Sequence, residues 1–214
     1  MIQFDHDHLT ALRLALDTVA PVTEARTTLQ GVHFDFPRGR LLATDGVRLF
    51  AAALPPEDTD APALPARTFM VKNAATGAQV RKIPNGWRAA YLDLDALVLR
   101  SDPDGRGAEF RLEEITENYP DTDRVVLPFL GAAGGSGLDA PRLVLNADLL
   151  KGWTCGKPPA LSAEFMAKPY PALLVTFPFL SVPHLALAMG MAYSPSDPRA
   201  IAGGLFPSHP APEA

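Results

Sequence analysis

The residues of this chain spaced closely enough to act together chemically are carboxylates: Asp93 with Asp95, Glu113 and Glu114 with Glu117, and Asp121 with Asp123. Residues two apart on a strand share a face, so Asp93 and Asp95 could hold a cation or divide acid–base work between them. The same spacing also describes the wet side of a sheet, which is the simpler reading. The five histidines are scattered. His6 and His8 lie near the start with no cysteine at metal-site spacing, and the single cysteine, Cys155, has no neighbouring histidine to activate it. There is no phosphate-cradling glycine loop, no dinucleotide fingerprint and no nucleophile elbow. These residue types and spacings point away from catalysis, and no metal or cofactor is expected.

Composition narrows the class further. The 214 residues are 47% hydrophobic and 20% charged, an ordinary globular balance. Apolar runs are cut by proline and charge before reaching the length of a membrane span, so no membrane association is expected. The first residues lack a basic stretch followed by an apolar one, so no secretion signal is expected there. A lone cysteine fits a reducing compartment, most simply the cytoplasm. The formal net charge of −5, all of it carried by residues 1–127, argues against a protein that coats nucleic acid through a strongly basic surface.

The elements that would position any site follow from periodicity. Leu9, Leu12, Leu16 and Val19 recur at helical spacing between Asp7, a candidate cap, and Pro21. Val32, Phe34 and Phe36 alternate with polar residues as in a strand, and Pro37–Arg40 turns the chain into a hairpin running through 41–43 to 49–54. Residues 55–65 read as a connector. A second helix is predicted from Thr68 toward Lys82, then a strand from Tyr91 to Arg100, a turn over 101–107 and a returning strand over 108–115. After the glycine-rich segment 131–137 comes a shorter version of the same unit. It comprises a helix capped by Asn146 and strands at 161–166, 173–177 and 185–193. In the last strand Leu185, Leu187, Met189 and Met191 point one way, with the small residues Ala186, Ala188 and Gly190 on the other face. The expected organisation is α+β: residues 1–128 hold two helix-plus-strands units, 129–141 a linker, 142–193 a half-domain and 194–214 a flexible tail.

Four segments, in order, resemble bacterial replicative sliding clamps, the processivity factors of DNA polymerase. Leu42-Ala43-Thr44-Asp45-Gly46-Val47-Arg48-Leu49 looks like the family's A-T-D-G-x-R-L stretch, and Arg26–Phe34 is similar to the loop and strand preceding it. Tyr119–Pro128 resembles the F-P-D-x-x-R-V-x-P segment, and His184–Met191 resembles the M-P-M ending, with Gly190 in place of the proline. The resemblance runs from about Ile2 to Tyr193. It implies a sliding-clamp fold, helices on antiparallel sheets. Family chains carry three domains of two units each and close rings as dimers. This chain has three units, about one and a half domains, so a ring would need a homo-oligomer of other stoichiometry.

The resemblance also implies sites. Replication and repair proteins, polymerase and clamp loader among them, dock short peptides in an apolar pocket of the family. Its counterpart here would be Leu29, Thr44, Gly46, Val47, Arg48, Leu49, Pro128, Leu187 and Met189, with Arg48 meeting polar groups at the rim. Double-stranded DNA would be faced, without sequence readout, by Arg13, Arg26, Lys72, Arg81, Lys82, Lys151 and Lys157. The tail's Gly203-Gly204-Leu205-Phe206 ends like a docking peptide and could occupy the pocket itself. Two further expectations compete: a clamp-derived decoy that binds clamp partners without encircling DNA, and a purely structural module.

Overall fold

The computed structural model describes residues 1–56, 64–126, 162–166, 172–177 and 180–189. The linker 129–141, the helix expected after Asn146 and the tail from 194 lie outside them.

Among the described residues, eleven strands form one antiparallel sheet, in the order β1-β6-β7-β8-β5-β2-β3-β4-β11-β10-β9. They are β1 (Ile2–Phe4), β2 (Val32–Asp35), β3 (Arg40–Thr44), β4 (Arg48–Ala53), β5 (Arg67–Asn73), β6 (Ala90–Asp93), β7 (Val98–Arg100), β8 (Glu109–Ile115), β9 (Ser162–Met166), β10 (Ala172–Thr176) and β11 (His184–Met189). The sheet does not break where the sequence suggests a new unit, because β11 pairs with β4.

The helix α1 (His6–Thr18) packs on β3 and β4. Its cap is Asp5 rather than Asp7. The Asp5 side chain accepts hydrogen bonds from the backbone N–H groups of Asp7 (3.1 Å) and His8 (3.0 Å), satisfying donors the first turn cannot. Leu9, Leu12, Leu14 and Leu16 are fully buried. They meet a core whose largest fully buried side chains are Phe4, Phe34, Phe50, Phe69 and Phe177.

The second predicted helix is not there. Residues 67–73 form β5, in which Thr68, Phe69, Met70 and Val71 are all buried. A continuous run of β-branched and large apolar residues flanked by sheet on both sides is a central strand, not an amphipathic helix. Asn73 ends it by accepting the N–H groups of Ala75 and Thr76, and Gly77 turns at φ +68°. The irregular stretch that follows carries Ile83 and Trp87 into the core, Trp87 stacked on Phe110 at 5.2 Å. It does the covering that a helix was expected to do.

The strand expected over 91–100 is two strands, β6 and β7, joined by a tight turn. Asp93 makes that turn: its carboxylate accepts from the N–H groups of Asp95 (3.2 Å) and Ala96 (2.9 Å) and takes Arg100 on its other oxygen. The bond from the Ala96 N–H, the Asp95 N–H and the Arg100 charge outweigh the opposing effect of burial and hold the carboxyl below its ordinary range. Four of the other candidate carboxylates are in ion pairs, Glu113 with Lys72, Glu114 with Arg67, Asp121 with Arg124 and Asp123 with Arg40. None of these pairs is set up for acid–base work.

Candidate docking cleft

The segment Thr44–Leu49 is a turn in which nearly every residue type is used. Thr44 Oγ1 donates to the Arg48 carbonyl (2.6 Å) and accepts from the Gly46 N–H (3.0 Å). Asp45 accepts from the N–H groups of Val47 (2.9 Å) and Arg48 (2.7 Å). Gly46 sits at φ +91°, a conformation that favours glycine, and a side chain there would begin 2.8 Å from the flexible end of Arg26. Locked from inside, the turn leaves Val47 as its outward tip, 40% exposed.

Arg48 is not at the rim. It is 6% exposed, donating to the Asp45 carboxylate (2.9 Å), to the Asp17 carbonyl (3.0 Å) and toward the Asp17 carboxylate (3.4 Å). Arg81 donates to the same Asp17 carbonyl (2.9 Å). Two guanidinium groups thus neutralise the C-terminal end of α1, where carbonyls have no helical partner and the dipole favours cations. A buried arginine paired this fully is a strut fixing the turn to the helix.

Beyond the turn, β4 and β11 run side by side with Leu49 directly opposite Leu187, Phe50 opposite Ala186 and Arg48 opposite Ala188. Alternation then sorts the faces. Ala186 and Ala188 join the core on the face that holds Phe50, and their smallness is what Phe50 and Arg48 need. Leu49 and Leu187, 5% and 1% exposed, lie on the opposite face. Over them opens a cavity of about 160 Å³. Its lining draws on four parts of the chain: Arg26 and Leu29; Thr44 with Gly46–Leu49; Pro120, Asp121, Thr122 and Val125; and Leu187.

Of the residues predicted for a pocket, Leu29, Thr44, Gly46, Val47, Arg48, Leu49 and Leu187 meet around this one space. Met189 has its backbone in β11, and Pro128 lies outside the described residues. Missed were Pro120, Asp121, Thr122 and Val125, the far wall. Their signal is the Tyr119–Pro128 segment, whose first proline, Pro120, lines the cavity. Arg26, expected to face DNA, lines the cavity instead, its guanidinium over Gly46 and paired with Glu24 at 2.9 Å.

Of the other described candidates for DNA contact, three engage groups of the protein itself. Arg13 donates to the carbonyls of Pro84 and Trp87, both at 3.0 Å, and Arg81 to that of Asp17. Lys72 is on β5, not on a helix, and pairs with Glu113. Among the described residues of that set, Lys82 alone is exposed without an ion pair. Lys151 and Lys157 lie outside the described residues. No helix among the described residues is long and apolar enough to cross a membrane.

No protein-family model matches the sequence, and no curated protein does. Solved structures match over nearly the whole chain. The DNA polymerase sliding clamp from Bacillus subtilis aligns with a TM-score of 0.52 at 13% identity, covering 90% of this chain and 64% of that one. The β subunit from the DNA polymerase of Streptococcus pyogenes gives 0.54 at 13% identity, covering 90% and 66%. The Helicobacter pylori β clamp, solved with a DNA ligase peptide bound, gives 0.53 at 13%, covering 89% and 65%. The chain spans less than two thirds of the length of these clamps. At such identity the likeness is one of fold, and the fold is the sliding-clamp fold.

Proposed function

Starting from the sliding-clamp fold, we propose that this chain is a non-catalytic docking platform that takes up short linear peptides of replication or repair proteins in the cleft over Leu49 and Leu187. The observation that carries this reading is the cross-strand pair itself. Two buried leucines from distant parts of the chain floor an open apolar cavity, with Val47 and Val125 exposed at its rim. Apolar floors with a few fixed polar groups at the edge suit a peptide anchored by one or two large side chains. The H. pylori clamp, of the same fold, is one that binds a DNA ligase peptide. A polymerase and a clamp loader are the partners this reading implies. In this view residues 1–128 form one complete clamp domain and 142–193 half of another.

A second reading within the same class is favoured by the fate of the basic residues. Arg13, Arg81 and Lys72, three of the five described residues expected to face DNA, engage the protein's own carbonyls and carboxylates. Partner capture without encircling DNA, the decoy, is therefore the alternative to a closed homo-oligomeric ring. A fluorescent peptide ending in Leu-Phe should bind the full chain, and Leu187→Ala should abolish binding while the protein remains folded. Absence of wild-type binding would end the docking reading. Solution mass together with retention on nicked circular DNA separates the two forms: a ring stays on the circle and leaves once it is linearised, whereas a decoy is never retained.

A further inference from the structure

The far wall of the cleft, residues 119–126, is not part of the sheet, yet it lies across one face of β2. Alternation along β2 sends Val32 and Phe34 into the core and His33 and Asp35 to the opposite face. Both of those residues hold the wall. His33 stacks flat on Tyr119, ring centroids 4.4 Å apart and planes within 6°, while its Nδ1 meets Thr68 Oγ1 at 2.8 Å. Asp35 is 3% exposed and sits opposite Arg40 in the β2–β3 ladder. Arg40 Nε donates to Asp35 at 2.9 Å, and its two terminal nitrogens reach the two oxygens of Asp123, at 2.6 and 3.1 Å. Arg38 adds a bond to Asp35 at 3.1 Å.

One guanidinium therefore spends all its faces joining a buried carboxylate of the sheet to a carboxylate of the wall, in the bidentate geometry that fixes direction as well as distance. Between the two tethers, at Tyr119 and Asp123, hang Pro120, Asp121 and Thr122, and just beyond comes Val125. These four line the cavity; Asp123 and Arg40 do not. From this arrangement we infer that Arg40, anchored by Asp35, is a positioning residue that latches the 119–126 wall through Asp123 and so sets how tightly the cleft holds a peptide.

The inference rests on the docking reading for its consequence and on geometry for its mechanism, so two readouts are needed. The variants are Asp123→Ala and the charge-conserving Asp123→Glu, made in the full chain. Asp123 is partly exposed and at the edge of the fold, so neither variant should unfold it.

Hydrogen exchange reads the latch without any peptide. The amides of Val125 and Val126, both bonded to the Thr122 carbonyl, should exchange about tenfold faster in Asp123→Ala, with the core amides of α1 unchanged. Titration of the fluorescent Leu-Phe peptide reads the consequence: about tenfold weaker binding in Asp123→Ala, at least partly restored in Asp123→Glu. Unchanged exchange at Val125 and Val126 overturns the latch. Faster exchange with wild-type affinity overturns its role in holding peptide. If wild-type protein does not bind the peptide, the docking reading falls and takes that role with it, while exchange still decides the latch.

Discussion

The two walls of the cleft are built on different principles. The β4–β11 wall is ladder: Leu49 and Leu187 are held by backbone hydrogen bonds and backed by Phe50, Phe177 and the small face of β11. The opposite wall is strap: it is held to the sheet by one aromatic stack and one arginine. A ladder wall cannot move without unpairing strands, so damage to it is damage to the fold. A strap can be released with the fold intact, so damage to it falls on binding. The contrast separates the residues that make the cleft exist from those that set its shape.

Variants can break or sharpen that contrast. The largest effect is expected on the ladder side, at Arg48. Arg48→Ala leaves Asp17 and Asp45 facing each other without their cation and should cost about 3 kcal/mol, read as a lowered urea midpoint at unchanged slope. A loss of peptide affinity with no loss of stability would instead return Arg48 to the rim. Next is Leu187→Ala. It removes a buried side chain beside a space already partly empty, so about 2–3 kcal/mol is expected, with peptide binding abolished. Smaller again is Gly46→Ala. A methyl group at φ +91° should lower stability by about 1–2 kcal/mol, while the displaced Arg26, a flexible side chain, adds little. Thermal melts of Gly46→Ala and of Arg26→Ala beside it would show whether backbone or side chain carries the cost.

The smallest effects are on the strap side, and they depend on pH. Burial lowers the His33 pKa from 6.5, Arg40 and Arg38 add to this, and Asp35 opposes it. Folding therefore favours neutral His33. Its contribution is complete above about pH 6.5 and declines as pH falls below that value, because the unfolded chain then binds the proton more readily. The carboxylates act in a lower window. Burial raises the Asp35 pKa, but bonds from Arg40 and Arg38 together outweigh it, and Asp123 is lowered chiefly by its bond from Arg40. Both start from 3.8, so their contribution holds above that value and is lost as pH falls through their depressed values. Urea midpoints followed from pH 7 to pH 3 should show a shallow step and then a steeper one. His33→Gln should erase the first and keep the second. A first step that persists in His33→Gln would assign it to another group.

How much of this was legible in the sequence differs by element. The helix at 6–18 and the hairpin at 32–53 were readable because their apolar spacing matches one period each, and the cap was off by two residues because Asp is a good cap at either position. The bonds of the turn at 44–49 are local, but the inward course of Arg48 was not readable because its partner Asp17 lies 31 residues away. Helix was assigned to 68–82 because the sequence does not say that β5 lies between β2 and β8; buried on both faces, it loses the alternation that marks a strand. The break within 91–100 was hidden for a related reason: Asp93 looks like a strand's polar residue until its carboxylate is seen capping a turn.

The sequence alone therefore determined the local elements: a helix at the start, a hairpin after it, and a last strand with one small face. Only the tertiary structure decided which surfaces meet. That β11 pairs with β4, that Leu49 faces Leu187, that Arg48 and Arg81 turn inward to the end of α1, and that Arg40 reaches across to Asp123 are all contacts between residues far apart in the chain. Periodicity and capping are energies of neighbours and are written in order along the sequence. The pairing of distant strands is settled by how the whole apolar surface is best covered, which no single segment records.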